Sequence, residues 1–219
     1  EFIREEVEMD TVVVLKQGAR VAFTAKIRGA ADDVLPGDSV YGRIVGHLGH
    51  DGKTGCGAMF TNVRVVCSNT LAAAERSNNQ VSIRHKNGAN ASFNALIQSI
   101  DCHRRDFNNQ VEVMRQIANT QIESADLREY LNRVYAKQLS TPIRKDGEER
   151  ERTLEDLRVY PHVLGAYLRG FGAVPGTLWG ALNAVTEVET STKRGNQKRQ
   201  FYKANFGAGL EMSKRAMTV

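Results

Sequence analysis

A chain of 219 residues, 41% hydrophobic and 25% charged, can bury one sizeable core or two small ones, and its longest apolar runs, such as residues 12–15, fall far short of a bilayer span. Three cysteines, Cys56, Cys67 and Cys102, form no CxxC pair, which points to a reducing, intracellular setting and away from a disulfide scaffold. The net charge of +5 is uneven: residues 191–219 hold seven Lys or Arg and one acidic residue, net +6, while the other 190 residues sit at −1, so the excess calls for a polyanion or serves as a solvated terminus.

Residues 1–10 are acidic and carry little pattern, and no leader is visible ahead of them. Residues 11–15 are β-branched and apolar, 16–18 read as a turn, and 20–28 alternate strictly, with Val21, Phe23, Ala25 and Ile27 on one face. This predicts a hairpin. Residues 29–39, with Gly29, Asp32, Asp33, Pro36, Gly37 and Asp38, have the composition of a loop. Residues 40–48 alternate again, Asp51 and Gly52 supply a turn, and apolar residues resume through Phe60, Val63, Val65 and Val66, giving a second hairpin. Four such strands in chain order make an antiparallel meander. Ser68, Asn69 and Thr70 are able to cap a helix over residues 71–76, which would fold back on the sheet.

Residues 80–86 predict a further exposed strand and Ser92 the cap of a long helix, on which Phe107, Val111, Met114 and Ala118 keep helical spacing. Ser124 restarts a helix whose apolar face is Leu127, Leu131, Val134 and Tyr135. Residues 140–152 are the most polar internal stretch and read as a linker or exposed loop. They divide residues 1–140, sheet and helices, from residues 153–219, a helical segment with a basic tail packed on the same core. Residues 154–170 read as helical with a break at Pro161, and Thr177 caps a helix carrying Trp179, Leu182, Asn183, Thr186 and Glu187. The fold class is therefore α+β: an antiparallel sheet, helices on one face and a basic C-terminal extension.

Catalytic chemistry finds little support. His47, His50, Cys56 and Cys67 match no familiar zinc spacing, and alternation sends them to opposite faces of their strands. Cys67, Cys102 and His103 lack a nucleophile motif, and Asp32, Asp33 and Asp38 read as solvated loop residues before they read as a metal site. Asn183, Glu187 and Trp179 form a helical stripe, read first as the docking face of that helix. Contact with nucleic acid has more behind it. Arg20, Lys26 and Arg28 lie on one strand, Lys53 and Arg64 on the second hairpin, Arg84, His85 and Lys86 on the later strand, while Lys193, Arg194, Lys198, Arg199 and Lys203 interleave with Phe201, Tyr202 and Phe206. Cations neutralise phosphates and rings stack on unpaired bases, which favours single strands.

GARVAFTAKI at residues 18–27, HDGKTG at 50–55, TNVRVVCSNTL at 61–71, RHK at 84–86 and GTLWGALNAVTE at 176–187 resemble a family of uncharacterised proteins found in prophages and on conjugative plasmids. Members usually carry a further N-terminal part, and the resemblance implies a phage or plasmid protein in the cytoplasm of a bacterial host. Hairpins followed by a helix are also similar to the core of phage single-strand annealing recombinases and of the eukaryotic recombination mediator that forms annealing rings. That likeness implies a basic groove bringing Lys53, Arg64 and Arg76 near DNA. The expectation is a cofactor-free, homo-oligomeric protein that binds single-stranded DNA and promotes annealing or recombination. Its nucleic-acid residues would be Lys53, Arg64, Arg76, Arg84, Lys86, Lys193, Arg194, Lys198, Arg199, Tyr202 and Lys203, with no catalytic or metal residue and no membrane contact. The alternatives are a metal-dependent nuclease or DNA-modifying enzyme, and a protein-interaction factor that counters host defence.

Overall fold

The computed structural model describes residues 5–51, 56–64, 70–71, 80–83, 89–145, 147–191 and 208–218. Four long strands, β1 (Val7–Leu15), β2 (Arg20–Leu35), β3 (Asp38–Gly49) and β4 (Cys56–Arg64), form an antiparallel meander in chain order. Lys16, Gln17 and Gly18 make the first turn, all three at positive φ. The expected loop at residues 29–39 is instead mostly strand. Gly29, at φ 76°, lies where the β2–β3 register shifts, so β2 bends and continues to Leu35, and the true connection is Pro36–Gly37 with Gly37 at φ 78°. The acidic pair is tolerated on a strand because a helix above it supplies a partner: Arg115 meets the Asp32 carboxylate at 2.9 Å and donates to the Asp33 carbonyl at 2.7 Å.

Two short strands, β5 (Thr70–Leu71) and β6 (Gln80–Ile83), both pair with β4. Thr70 and Leu71 lie opposite Val63 and Asn62, so they extend the sheet instead of capping and opening a helix there. The rest of the helix expected over residues 71–76 lies outside the described residues. The long helix α1 (Ala89–Asn119) begins before Ser92, which is therefore an internal residue and not a cap. Its face of Ile100, Phe107, Val111, Met114 and Ala118 is buried on the sheet, as the spacing predicts. Gly42 allows the close approach: a Cβ there would lie 2.8 Å from the Ala30 Cβ and 3.4 Å from the His103 and Phe107 rings. In the next pleat, the Phe23 ring lies across Gly46, its cross-strand partner, where a side chain would otherwise stand.

Helices form the second layer. α2 (Ser124–Val134) starts at Ser124 as expected, on a capping box made by Glu123 and Asp126, and buries Leu127, Tyr130, Leu131 and Val134. After the single turn α3 (Ala136–Leu139), the stretch expected as a linker folds into a small hairpin of β7 (Ile143–Lys145) and β8 (Glu148–Arg150). Arg150 anchors it through two hydrogen bonds to Asp156, at 2.8 and 2.6 Å. Pro161 does not break a helix: it lies in the first turn of α4 (Tyr160–Arg169), where its missing N–H has no intrahelical acceptor to lose. Thr177 caps α5 (Leu178–Ser191) by accepting the Gly180 N–H at 3.0 Å. The basic end is not all tail, because α6 (Ala208–Thr218) returns to pack on α5 and α2.

One hydrophobic cluster runs from Val7 through Phe107, Leu131 and Trp179 to Ala216. One polar contact between sheet and helices lies inside it. The Trp179 Nε1–H donates to the Asp38 carboxylate at 2.9 Å, with both side chains buried and 141 positions apart in sequence. Asp38, read from the sequence as a solvated loop residue, is thus an interior acceptor at the start of β3. Replacing Trp179 with Phe removes the donor and keeps most of the ring. We expect a loss of about 1–3 kcal/mol in urea unfolding, the cost of leaving a buried polar group short of a partner.

Candidate nucleic-acid interface

Several of the described arginines are paired with carboxylates. Arg20 meets Asp51 at 2.8 Å and Arg43 meets Asp10 at 2.9 Å. Arg104 bridges Glu6 and Asp101, Arg128 pairs with Glu155 at 2.7 Å, and Arg133 pairs with Glu129 one turn away. Lys26 lies over the Tyr41 ring at 5.0 Å, and the Arg28 carbonyl accepts from Arg104 at 2.9 Å. On the strand read as an outward basic face, Arg20 and Lys26 are thus engaged through their side chains and Arg28 through its backbone. Val13, Ala22, Thr24 and Val45 are also buried, and the three apolar ones stand apart from the main cluster, so this side of the sheet is no open cationic surface. Burial lowers the Arg43 pKa, with Asp10 acting in the opposite sense.

Of the residues expected to contact nucleic acid, Arg64 ends β4 with its backbone opposite Val40. Lys53, Arg76, Arg84, Lys86, Lys193, Arg194, Lys198, Arg199, Tyr202 and Lys203 lie outside the described residues. What the structure does fix is the frame around the last six of these. Residues 192–207 run between α5 and α6, and both helices are anchored. The Tyr130 hydroxyl donates to the Ala216 carbonyl at 3.0 Å, Arg215 donates to the Val134 carbonyl at 3.3 Å, and Met212, Ser213 and Ala216 are buried. The 16 residues between them hold five Lys or Arg and no Asp or Glu, net +5, so the other 203 residues hold 25 of each sign and are neutral. The whole net charge of the chain resides in one stretch held at both ends.

Matched against protein families, residues 1–206 fit the one described as Domain of unknown function (DUF932). The chain belongs to the DUF932 family. All five segments on which the sequence resemblance rests fall within the matched range. No curated protein and no solved structure matches this DUF932 chain.

The three aspartates considered for catalysis have structural contacts. Asp33 accepts from Ser39 at 2.5 Å and from the Gly37 N–H at 3.4 Å, which ties the β2–β3 turn. Asp32 is held by Arg115 and Asp38 by Trp179, so the three carboxylates do not share a site. Among the described residues no three His, Cys, Asp or Glu side chains gather as a metal site would require. Cys102 is exposed and accepts from Arg105 at 3.2 Å, whereas His103 is buried, so the thiol and imidazole leave α1 on different sides. Cys67 lies outside the described residues. The stripe on α5 does dock the helix: Trp179 reaches Asp38, and Asn183 donates to the Gly172 carbonyl at 3.4 Å.

His103 was legible as a chemical group but not as a packing one. Its ring stacks on Phe60 with centroids 5.1 Å apart, between α1 and the sheet. Burial lowers its pKa from 6.5 to about 4, while the Asp106 carboxylate acts weakly the other way. The unfolded chain takes up this proton near pH 6.5 and the folded chain only near pH 4. The stability contributed is therefore whole above pH 6.5 and falls as the pH drops towards 4, by up to about 1.4 kcal/mol per unit. Urea denaturation at pH 7, 5.5 and 4.5 should show this slope in the native chain and a flatter one in His103→Phe. An identical slope in the variant would assign it to other groups.

Proposed function

We propose that this DUF932 protein binds single-stranded DNA through residues 192–207. In this reading it is a phage or plasmid protein acting as a homo-oligomer in the host cytoplasm, without a cofactor, to anneal, recombine or protect single strands. The reading is carried by one observation: the stretch between α5 and α6 holds the entire net charge of a chain that is otherwise neutral. Lys193, Arg194, Lys198, Arg199 and Lys203 supply phosphate contacts, and Phe201, Tyr202 and Phe206 between them offer rings to bases. A duplex keeps its bases stacked on one another, so the aromatic residues contribute only on unpaired strands. Anchoring at both ends favours binding as well, since a segment held by α5 and α6 has less freedom to lose than a free tail. Lys53, Arg64, Arg76, Arg84 and Lys86 are the further contacts in this proposal.

The test is the salt dependence of binding to a labelled oligonucleotide, read by fluorescence anisotropy. Each phosphate neutralised on a single strand contributes a slope of about −0.7 in log K against log salt, so five contacts give about −3.5. Changing the five Lys and Arg of residues 192–207 to Gln should flatten that slope and abolish binding at moderate salt. Native protein that binds no oligonucleotide at low salt overturns the proposal, and equal affinity for duplex removes the stacking part of it.

A further inference from the structure

The sheet is wider than the helix that covers it. α1 crosses the face containing Ile27, Ile44 and Phe60, which are buried, but leaves the corner made by β1, the start of β2 and the end of β3. There the cross-strand register aligns Val12 with Phe23 and Val14 with Val21, and Val21 with Leu48. Met9 joins them because the register of β1 slips by one residue at Asp10, which returns Met9 to the face of Val12 and Val14. Met9 is 54% exposed, Val12 57%, Val14 45% and Leu48 38%, four of the seven large apolar residues exposed among the described residues. Met9, Val12 and Leu48, with Val21 and Phe23, line a hollow of about 300 Å³ whose lining is wholly apolar. Scattered exposed apolar residues are ordinary, but a contiguous set on one face marks a contact surface.

The same corner contains the sheet edge. β1 pairs with β2 on one side, and no described strand pairs with the other. Residues 11–15, Thr-Val-Val-Val-Leu, contain no proline and no charge, so they have none of the features with which proteins usually blunt an edge. An edge of this kind demands another strand, and the sequence of β1 suits its own copy. Antiparallel pairing about Val12 lays Val12 against Val12 and brings Met9 of each strand beside Val14 of the other on the shared apolar face. It also brings the Glu8 end of each strand alongside the Lys16 end of its mate, opposite charges on exposed residues.

We infer that the β1 edge and its apolar corner are a homodimer interface, formed by antiparallel pairing of β1 with β1 of a second copy about a twofold axis near Val12. The two sheets become one, and the two corners one continuous apolar surface. This rests on the oligomeric part of the reading above and is independent of the basic stretch.

Sedimentation velocity on the full chain without DNA tests it. The native protein should pass from monomer to dimer with rising concentration. Val12→Lys, at a position already exposed in the monomer, should raise the dimer dissociation constant at least about tenfold, because pairing would bury a charge in an apolar contact, with the thermal midpoint unchanged at concentrations where both proteins are monomeric. In a Cys102→Ser background, Val12→Cys should give a covalent dimer on mild oxidation, since directly opposed residues of an antiparallel pair have the Cα spacing a disulfide needs. Leu168→Cys, exposed on α4, should not. A native chain that stays monomeric, a dimer indifferent to Val12→Lys, or cross-linking equal at positions 12 and 168 each overturns the interface. DNA binding, read separately by anisotropy, can stand or fall without it.

Discussion

The hydrogen bond from Trp179 to Asp38 joins the two halves of this protein. Asp38 opens β3 directly after the Pro36–Gly37 turn, and Trp179 is in the first turn of α5, so the contact sets where the C-terminal helices sit against the sheet. A buried carboxylate is tolerable only with its oxygens occupied, and a buried indole N–H is likewise costly alone. Their bond meets part of both needs, and it is directional in a way that apolar packing is not. Around it the chain adds strand-like bonds between residues 120–122 and 176–178: Ile122 N–H to the Gly176 carbonyl at 2.9 Å and Leu178 N–H to the Thr120 carbonyl at 2.9 Å. These tie the start of α5 to the junction of α1 and α2. The orientation of α5 then determines where α6 can dock, and so where residues 192–207 begin and end.

Electrostatically the protein divides in the same manner. Across the described residues, arginine after arginine meets a carboxylate: Arg20 with Asp51, Arg43 with Asp10, Arg115 with Asp32, Arg150 with Asp156. Half-buried pairs of this kind add little stability singly, because desolvation offsets much of the attraction. Their collective consequence is that the folded body presents little net field, since charges of opposite sign lie side by side and cancel beyond a Debye length of roughly 8–10 Å. In the proposed reading, an anion approaching from further away is drawn to the stretch where five cations stand without an acidic neighbour in sequence. A reading of the sequence counts Arg20 as an open cation because it cannot see that the fold places Asp51 beside it.

The fold was legible where a period of two or 3.6 ran without interruption. The alternation of residues 20–28 and 40–48 gave the hairpins, and the spacing of Phe107, Val111, Met114 and Ala118 gave the buried face of α1. It was illegible where a tertiary partner overrode local composition. Asp32, Asp33, Pro36 and Gly37 look like a loop, yet Gly29 bends the strand and Arg115, 82 positions away from Asp33, holds the acidic residues in it. Pro161 looks like a break because position within a helix, not residue type, decides its effect. The polar stretch 140–152 gave no alternation to follow, and its hairpin depends on Arg150 finding Asp156 beyond it. Of the candidate site, the basic and aromatic composition was readable in full, while the anchoring of its two ends was not. Met212 and Ala216 lie four apart on a helix too short and too polar to announce that it packs.

The apolar corner shows how one irregularity can hide a surface. Read with strict alternation, Met9 shares a face with Val13 and Leu15, and the acidic residues around it make β1 resemble an unstructured lead-in. The slip at Asp10 changes the parity, so Met9, Val12 and Val14 fall on one side and Val13 on the other. Asp10 itself takes up contacts that hold the bulge in place: it accepts from Thr24 at 3.1 Å and pairs with Arg43. Those bonds lie on the face opposite the corner, where Thr24 and Val45 are buried. The sheet thus spends its polar interactions on one side to align apolar residues on the other, and it does so at the strand whose outer backbone has no described partner. An isolated bulge would weaken an edge for pairing; placed at one end of five uninterrupted residues, it leaves them regular and turns their apolar face outward in register with β2 and β3.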